Sequence, residues 1–453
     1  MEYIPKTAAE EKAMLEAIGV DSFDRLLDIP PEFRLNRPLA LPAPLSQMEL
    51  RREMMALSRK NADTASHLSF LGGGSYDHFI PTTVDHVLRR SEFYTSYTPY
   101  QAEMSQGLLQ TIYEYQTMIC QITGMEVASA SVYDGASALA EGALMAMRVT
   151  KRNKVLISRS VHPHYRQVVQ TYLSGLPGAR LKEVPFQEGV TSLDQLTSLV
   201  DEEVAAVLIQ HPNFFGQLEE IEAVESLIHS KGGLLVMAVD PISLGVLKTP
   251  GEFKADIAVG EGQSMGNGIS YGGPYVGFFA TRRELIRQMP GRIVGATTDG
   301  QGRPGFCLTL QTREQHIRRE RATSNICTNQ ALNALASAVY LATVGKEGLK
   351  EVAMLCLANS HRAQQKIAAI PGYASPFAGP FFKEFVVRLP LPAPRVLKRL
   401  LRNGILAGID LGTYYRELKN HLLICVTEIH RAEEIARLVQ QLQAAAAPSP
   451  AKS

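Results

Sequence analysis

Asp256-Ile-Ala-Val-Gly-Glu-Gly-Gln-Ser264-Met-Gly-Asn-Gly-Ile-Ser-Tyr-Gly-Gly-Pro-Tyr-Val-Gly-Phe-Phe279 is a short apolar run, a glycine-rich turn and a second apolar run. Unbroken apolar runs of strand length predict buried strands, and the glycines between them predict a tight loop. No lysine or arginine occurs anywhere in the segment. Upstream, further apolar runs at 154–158, 181–186, 204–209 and 234–239 alternate with helical patterns at 193–200 and 218–230. Runs without polar alternation, separated by helices, predict a buried and largely parallel sheet covered on both faces. Ligands of such sheets bind at the carboxyl ends of the strands.

The flanking sequence predicts two further regions. Residues 1–65 read as a helical arm: Thr7 and Ser46 each stand three residues before a glutamate, a capping pattern, and proline-rich turns lie between them. Such an arm has no core of its own and is expected to wrap over a partner subunit. Residues 66–330 form the large α/β domain. Residues 331–453 carry a long helix over about 329–369 and a small α+β unit. In that unit, strands at 385–389 and 422–427 alternate with helices at 394–402 and 432–444, before a polar tail.

With 453 residues and 45% hydrophobic content, the chain can bury a large core. Its 46 basic and 45 acidic residues give a net charge of +1 without long single-sign blocks, which argues against nucleic acid or an anionic membrane as partner. Five scattered cysteines without a C-x-x-C spacing fit neither a disulfide framework nor a metal site. No signal peptide or membrane-spanning run is legible, so a cytoplasmic protein is expected.

The order of elements resembles pyridoxal-phosphate enzymes of the aspartate-aminotransferase fold (fold type I). That fold needs a helix N-terminus for the phosphate, a ring stacked on the pyridine, an aspartate on the pyridine nitrogen, and a lysine that bonds to the cofactor aldehyde. Three counterparts occur in order. Residues 132–138, including Gly135, open a helix over 139–147; His162 follows a strand end; Asp240 ends the 234–239 run. Each also has a plain reading, as a cap, a structural histidine and an Asp-Pro turn. The fourth part is missing, because Ser264 falls at about the lysine position. Lys248 and Lys254, just upstream, are the substitutes a self-sufficient transferase would need.

A second group lies in Phe70-Leu-Gly-Gly-Gly-Ser-Tyr-Asp-His78-Phe-Ile-Pro81 and in the segment holding Tyr97, Tyr100, Gln101 and Glu103. Triple glycine permits close approach of backbone to a ligand, and the tyrosine-rich segment leads into a helix with the buried stripe Leu108, Ile112, Tyr115 and Ile119. These two stretches, with Arg321-Ala-Thr-Ser-Asn-Ile-Cys-Thr-Asn329, closely resemble the glycine decarboxylase family, the P-protein of the glycine cleavage system.

The resemblance runs through nearly the whole chain. It implies the lysine-lacking first subunit of the two-subunit form, an α2β2 assembly in which a homologous partner's lysine holds pyridoxal phosphate. It further implies that glycine loses carbon dioxide and that its aminomethyl group passes to the lipoyl arm (lipoamide) of H-protein. His78, Tyr97, Tyr100, Gln101 and Glu103 are then expected to wall the shared site. Thr323, Ser324 and Asn325 are expected to reach the partner's cofactor phosphate, and Gly135, His162, Asp240 and Ser264 to form a degenerate pocket. The basic stretch 313–321 is expected to be mainly a solvated helix face. The rival reading is a non-catalytic scaffold or regulatory subunit.

Overall fold

The computed structural model describes residues 6–35, 37–94, 98–326 and 328–446. They fall into two units, Met1–Ala62 and Asp63–Ser453. In the first, helices α1 (Ala8–Ile18) and α2 (Gln47–Ser58) each open with a capping box. The Thr7 hydroxyl accepts from the Glu10 amide at 3.2 Å while the Glu10 carboxylate accepts from the Thr7 amide at 2.7 Å. Ser46 and Glu49 repeat the exchange at 3.3 and 2.9 Å. Neither helix buries a residue, and Phe33, Leu41, Met48 and Met54 are among the unit's exposed apolar side chains.

The second unit is built on a seven-stranded sheet: β1 (Val127–Ala128), β2 (Lys154–Ser158), β3 (Arg180–Val184), β4 (Val204–His211), β5 (Leu234–Val239), β6 (Ile257–Glu261) and β7 (Gly277–Thr281). Its spatial order is β1-β7-β6-β5-β4-β2-β3, with β2 to β6 parallel and β7 antiparallel to both neighbours. This is the mostly parallel fold type I architecture. Every residue of β5 is buried. Leu235, Met237 and Val239 join the core on one face of the sheet, and Leu234, Val236 and Ala238 the core on the other, which is why the run shows no polar alternation.

Around the sheet lie α3 (Gln106–Thr123), α4 (Gly135–Thr150), α5 (Pro163–Ser174), α6 (Ile221–Ser230) and α7 (Ala331–Ala368). Leu108, Ile112, Tyr115 and Ile119 are buried along α3, as their spacing predicts. The expected start of α6 at 218 is displaced to Ile221, because the Leu218 amide bonds to the Pro380 carbonyl at 2.9 Å and Gln217 bridges Phe381. α7 bends where Gly345 takes a φ of 63°. A small antiparallel sheet of β8 (Glu384–Arg388), β9 (Ile409–Asp410) and β10 (His421–Cys425) packs with α8 (Ala393–Arg402) and α9 (Ala432–Ala446) over its own apolar core. Among the described residues, no helix is long and apolar enough to cross a membrane.

Candidate active site

The carboxyl ends of β2, β4, β5 and β6 converge with the N-terminus of α4, as this fold requires for a ligand site. Asp134 caps α4, accepting from the Ser137 amide at 2.7 Å. The Gly135 amide, one of the free donors of the first turn, points at Glu261, the last residue of β6, and donates to its Oε2 at 3.0 Å. The other oxygen of Glu261 accepts from the amides of Gln263 and Val276, both at 3.1 Å. Burial pushes the Glu261 carboxyl up to about 8, against the pull of these donors.

His162 follows β2, with its Nε2 at 2.6 Å from the Gly73 carbonyl. Its Nδ1 accepts from the His164 amide at 3.1 Å, so Nε2 carries the proton and donates. Its ring stacks on Tyr165 at 4.9 Å between centroids, and burial brings its pKa down to about 4. Asp240 follows β5, and its Oδ2 lies 2.7 Å from the ammonium of Lys383, a residue just before β8 whose side chain is 2% exposed. Ser264 is buried, and its hydroxyl makes no hydrogen bond among the described residues. It does not line the cavity enclosed by His162, Asp240 and Glu261, a space of about 30 Å³. That space admits about one or two waters, and it adjoins an open recess of about 360 Å³ at the α4 N-terminus, lined by Asp134, Ala136, His162, Tyr165, Glu261 and Tyr275. With Asp240 paired to Lys383 and the Gly135 amide to Glu261, the two polar anchors that pyridoxal phosphate would need are already engaged, and in that respect the residues present do not fit the cofactor in this chain's own pocket.

Lys383 extends this polar core. Its ammonium lies 3.5 Å from the centroid of the Tyr76 ring and 3.1 Å from Nε2 of His78. An ammonium only donates, so Nε2 accepts and the His78 proton sits on Nδ1, directed at Glu428 2.6 Å away. Burial and Lys383 both hold His78 below its usual pKa, leaving a neutral ring between a cation and a carboxylate. His78, Cys356 and Glu428 present ligand atoms within 4.8 Å of one another, but their contacts with each other and with Lys383 account for them without an ion.

The same core anchors the 72–81 loop. Glu384 accepts from the Gly73 amide at 2.7 Å and from the Tyr76 hydroxyl at 2.9 Å, and Glu428 accepts from the Phe79 amide at 2.8 Å. The triple glycine is explained here: a Cβ on Gly72 would collide with Glu384 and Cys425, and Gly73 and Gly74 have φ of 69° and 99°. In this chain the close approach is therefore to the small sheet rather than to a ligand.

The other expected residues lie apart from this pocket. Tyr100 is half exposed and accepts from Arg292 at 2.9 Å; Gln101 and Glu103 stand beside it, exposed, on a short turn of helix. Tyr97 lies outside the described residues. Thr323, Ser324 and Asn325 line a separate open cleft of about 700 Å³ with Arg148 and Tyr172, where Ser324 donates to Glu141 at 2.8 Å. Arg313 is not part of a solvated face: it is buried, and its guanidinium donates to the carbonyls of Met289, Gly291 and Leu310. Lys248 pairs with Glu222 on the surface and Lys254 sits on an exposed turn, so neither reaches the pocket. The residues that sequence reasoning passed over are Lys383, Glu384, Glu428 and Glu261. The visible signal was a Lys-Glu pair opening an apolar strand and a glutamate closing another.

Residues 1–442 match the family model described as glycine cleavage system P-protein. A Carboxydothermus hydrogenoformans protein named probable glycine dehydrogenase (decarboxylating) subunit 1 is 55% identical over 443 residues, covering 98% of this chain and 99% of that relative. A Moorella thermoacetica protein of the same name is 53% identical over 444 residues, covering 98% and 99%. The crystal structure of a glycine decarboxylase (P-protein) of the glycine cleavage system, in inhibitor-bound form, matches with a TM-score of 0.91 at 44% identity, over 98% of this chain and 100% of that one. A Burkholderia pseudomallei sphingosine-1-phosphate lyase shares the fold alone, with a TM-score of 0.66 at 14% identity over 91% and 93%.

Proposed function

Because the chain belongs to the glycine cleavage system P-protein family, we propose that it is the lysine-lacking subunit of a heteromeric glycine dehydrogenase (decarboxylating). In this reading the homologous partner of an α2β2 assembly holds pyridoxal phosphate through its own lysine. The assembled enzyme binds glycine, releases carbon dioxide and transfers the aminomethyl group to the lipoyl group of H-protein in the cytoplasm. The carrying observation is the loop from Asp256 to Phe279, which offers no lysine at all. The engagement of Asp240 by Lys383 and of the Gly135 amide by Glu261 supports the same reading.

This chain then contributes walls and water exclusion. Tyr100, Gln101 and Glu103 are exposed and available to an apposed subunit, and we assign them, with Tyr97, to the shared site. Thr323, Ser324 and Asn325, on their open cleft, are assigned to the partner's cofactor phosphate. His78 acts at one remove: its buried ring helps anchor the 72–81 loop, so it positions rather than touches. The exposed apolar side chains of the arm are assigned to the subunit interface. Borohydride reduction of the assembled, cofactor-loaded enzyme tests this. The reduced cofactor is expected on a peptide of the partner, and its recovery on a peptide of this chain would overturn the assignment.

A further inference from the structure

We infer that the two polar anchors of this chain's own cofactor pocket are occupied by two of its side chains, Lys383 filling the place of a pyridinium on Asp240 and Glu261 the place of a phosphate on the Gly135 amide of α4. In this fold an aspartate after β5 pairs with a cationic ring nitrogen, and the N-terminus of the helix before β2 receives an anion. Here the Asp240 carboxylate meets a cation of the chain itself, 2.7 Å away and itself buried. The α4 N-terminus meets a carboxyl of the chain, 3.0 Å from the Gly135 amide.

The two stand-ins reach the pocket independently. Glu261 ends a strand of the central sheet, whereas Lys383 enters from the small sheet. Between them Tyr165 lies against His162, its hydroxyl crowding Gly135, and Tyr76 lies under the Lys383 ammonium. Loss of the lysine alone would have left an aspartate and a helix terminus facing an open seat. Buried charge and free amides without partners are costly, and the stand-ins supply those partners. The inference concerns this chain alone and holds whether or not a partner completes the enzyme.

The test uses pyridoxine 5′-phosphate, which lacks the aldehyde and cannot react with surface lysines, titrated into the full chain purified without its partner. Wild type is expected to show no binding at millimolar probe. A Lys383→Ala/Glu261→Ala variant that keeps the parental circular dichroism is expected to bind at least about tenfold more tightly than wild type. Inorganic phosphate alone is expected to raise the melting temperature of Glu261→Ala and leave that of wild type unmoved. Probe binding to wild type, or folded variants that still exclude both probes, would overturn the inference. Should the variants fail to fold, native-state acetylation of wild type decides: Lys383 is expected to stay unmodified until denaturation, and its labelling in the native chain would overturn the inference.

Discussion

The pocket at the carboxyl ends of β4 to β6 and the rim around Tyr100 differ in how their polar groups are used. In and behind the pocket the polar groups are spent on one another: Asp240 on Lys383, Lys383 on His78, His78 on Glu428. On the rim, Tyr100, Gln101 and Glu103 face outward. Interior polar groups that satisfy each other specify a conformation and do little chemistry, while exposed groups on a rigid frame remain available to a ligand or another chain. A chain can therefore keep the frame of an enzyme after its own pocket has become structural.

The difference can be broken most directly by leaving out the partner. Glycine–bicarbonate exchange is expected to be absent with this chain alone and present after mixing with a lysine-bearing homologue and lipoylated H-protein. Exchange by the isolated chain would place chemistry back in the pocket. Lys383→Met is the next largest effect. It leaves Asp240 without its cation, and breaking a buried pair from one side costs about 3–5 kcal/mol. Urea denaturation should register that loss, whereas Glu103→Gln on the rim should leave the midpoint where it is.

The rim variants sharpen the comparison from the other side. Tyr100→Phe or Glu103→Gln in the assembled enzyme should lower glycine turnover about ten- to hundredfold, the effect of losing about 1.5–3 kcal/mol in one hydrogen bond to a charged group. Cofactor content and complex mass should not change. Turnover within twofold of the parent for both variants would favour the scaffold reading.

The smallest effect is in pH. Glu261 has a folded pKa of about 8 against an ordinary value of 4.5, so the folded chain keeps a proton that the unfolded chain has released. Its contribution to stability is full below 4.5 and is lost as pH rises towards 8. Glu261→Gln removes that titration. The stability of wild type should therefore fall by about 1 kcal/mol relative to the variant between pH 6 and pH 7. Absence of such a relative fall would show that Glu261 enters the pocket already ionised.

The central sheet was legible because β5 and its neighbours are apolar on both faces, and few other structures accommodate such runs. Asp240 and His162 were legible because each closes a strand. Lys383 was not: it meets His78 across 305 residues of sequence, and nothing local distinguishes a lysine before a strand from a solvated one. Glu261 was hidden for a related reason, since its partners at 135 and 276 come from two different turns. Leu218 misled in the same way, its helical spacing overridden by a backbone bond to Pro380. Local pattern reports the frame, and long-range pairing of charges decides what a pocket contains.

The arm of residues 1–62 carries a consequence for synthesis. Phe33 and Leu41 are 77% and 73% exposed, amid further bare leucines and methionines. An unpaired chain with such a surface is prone to self-association and proteolysis as its concentration rises. Soluble yield should therefore depend on matched production of the two subunits, with any excess of this chain lost as aggregate.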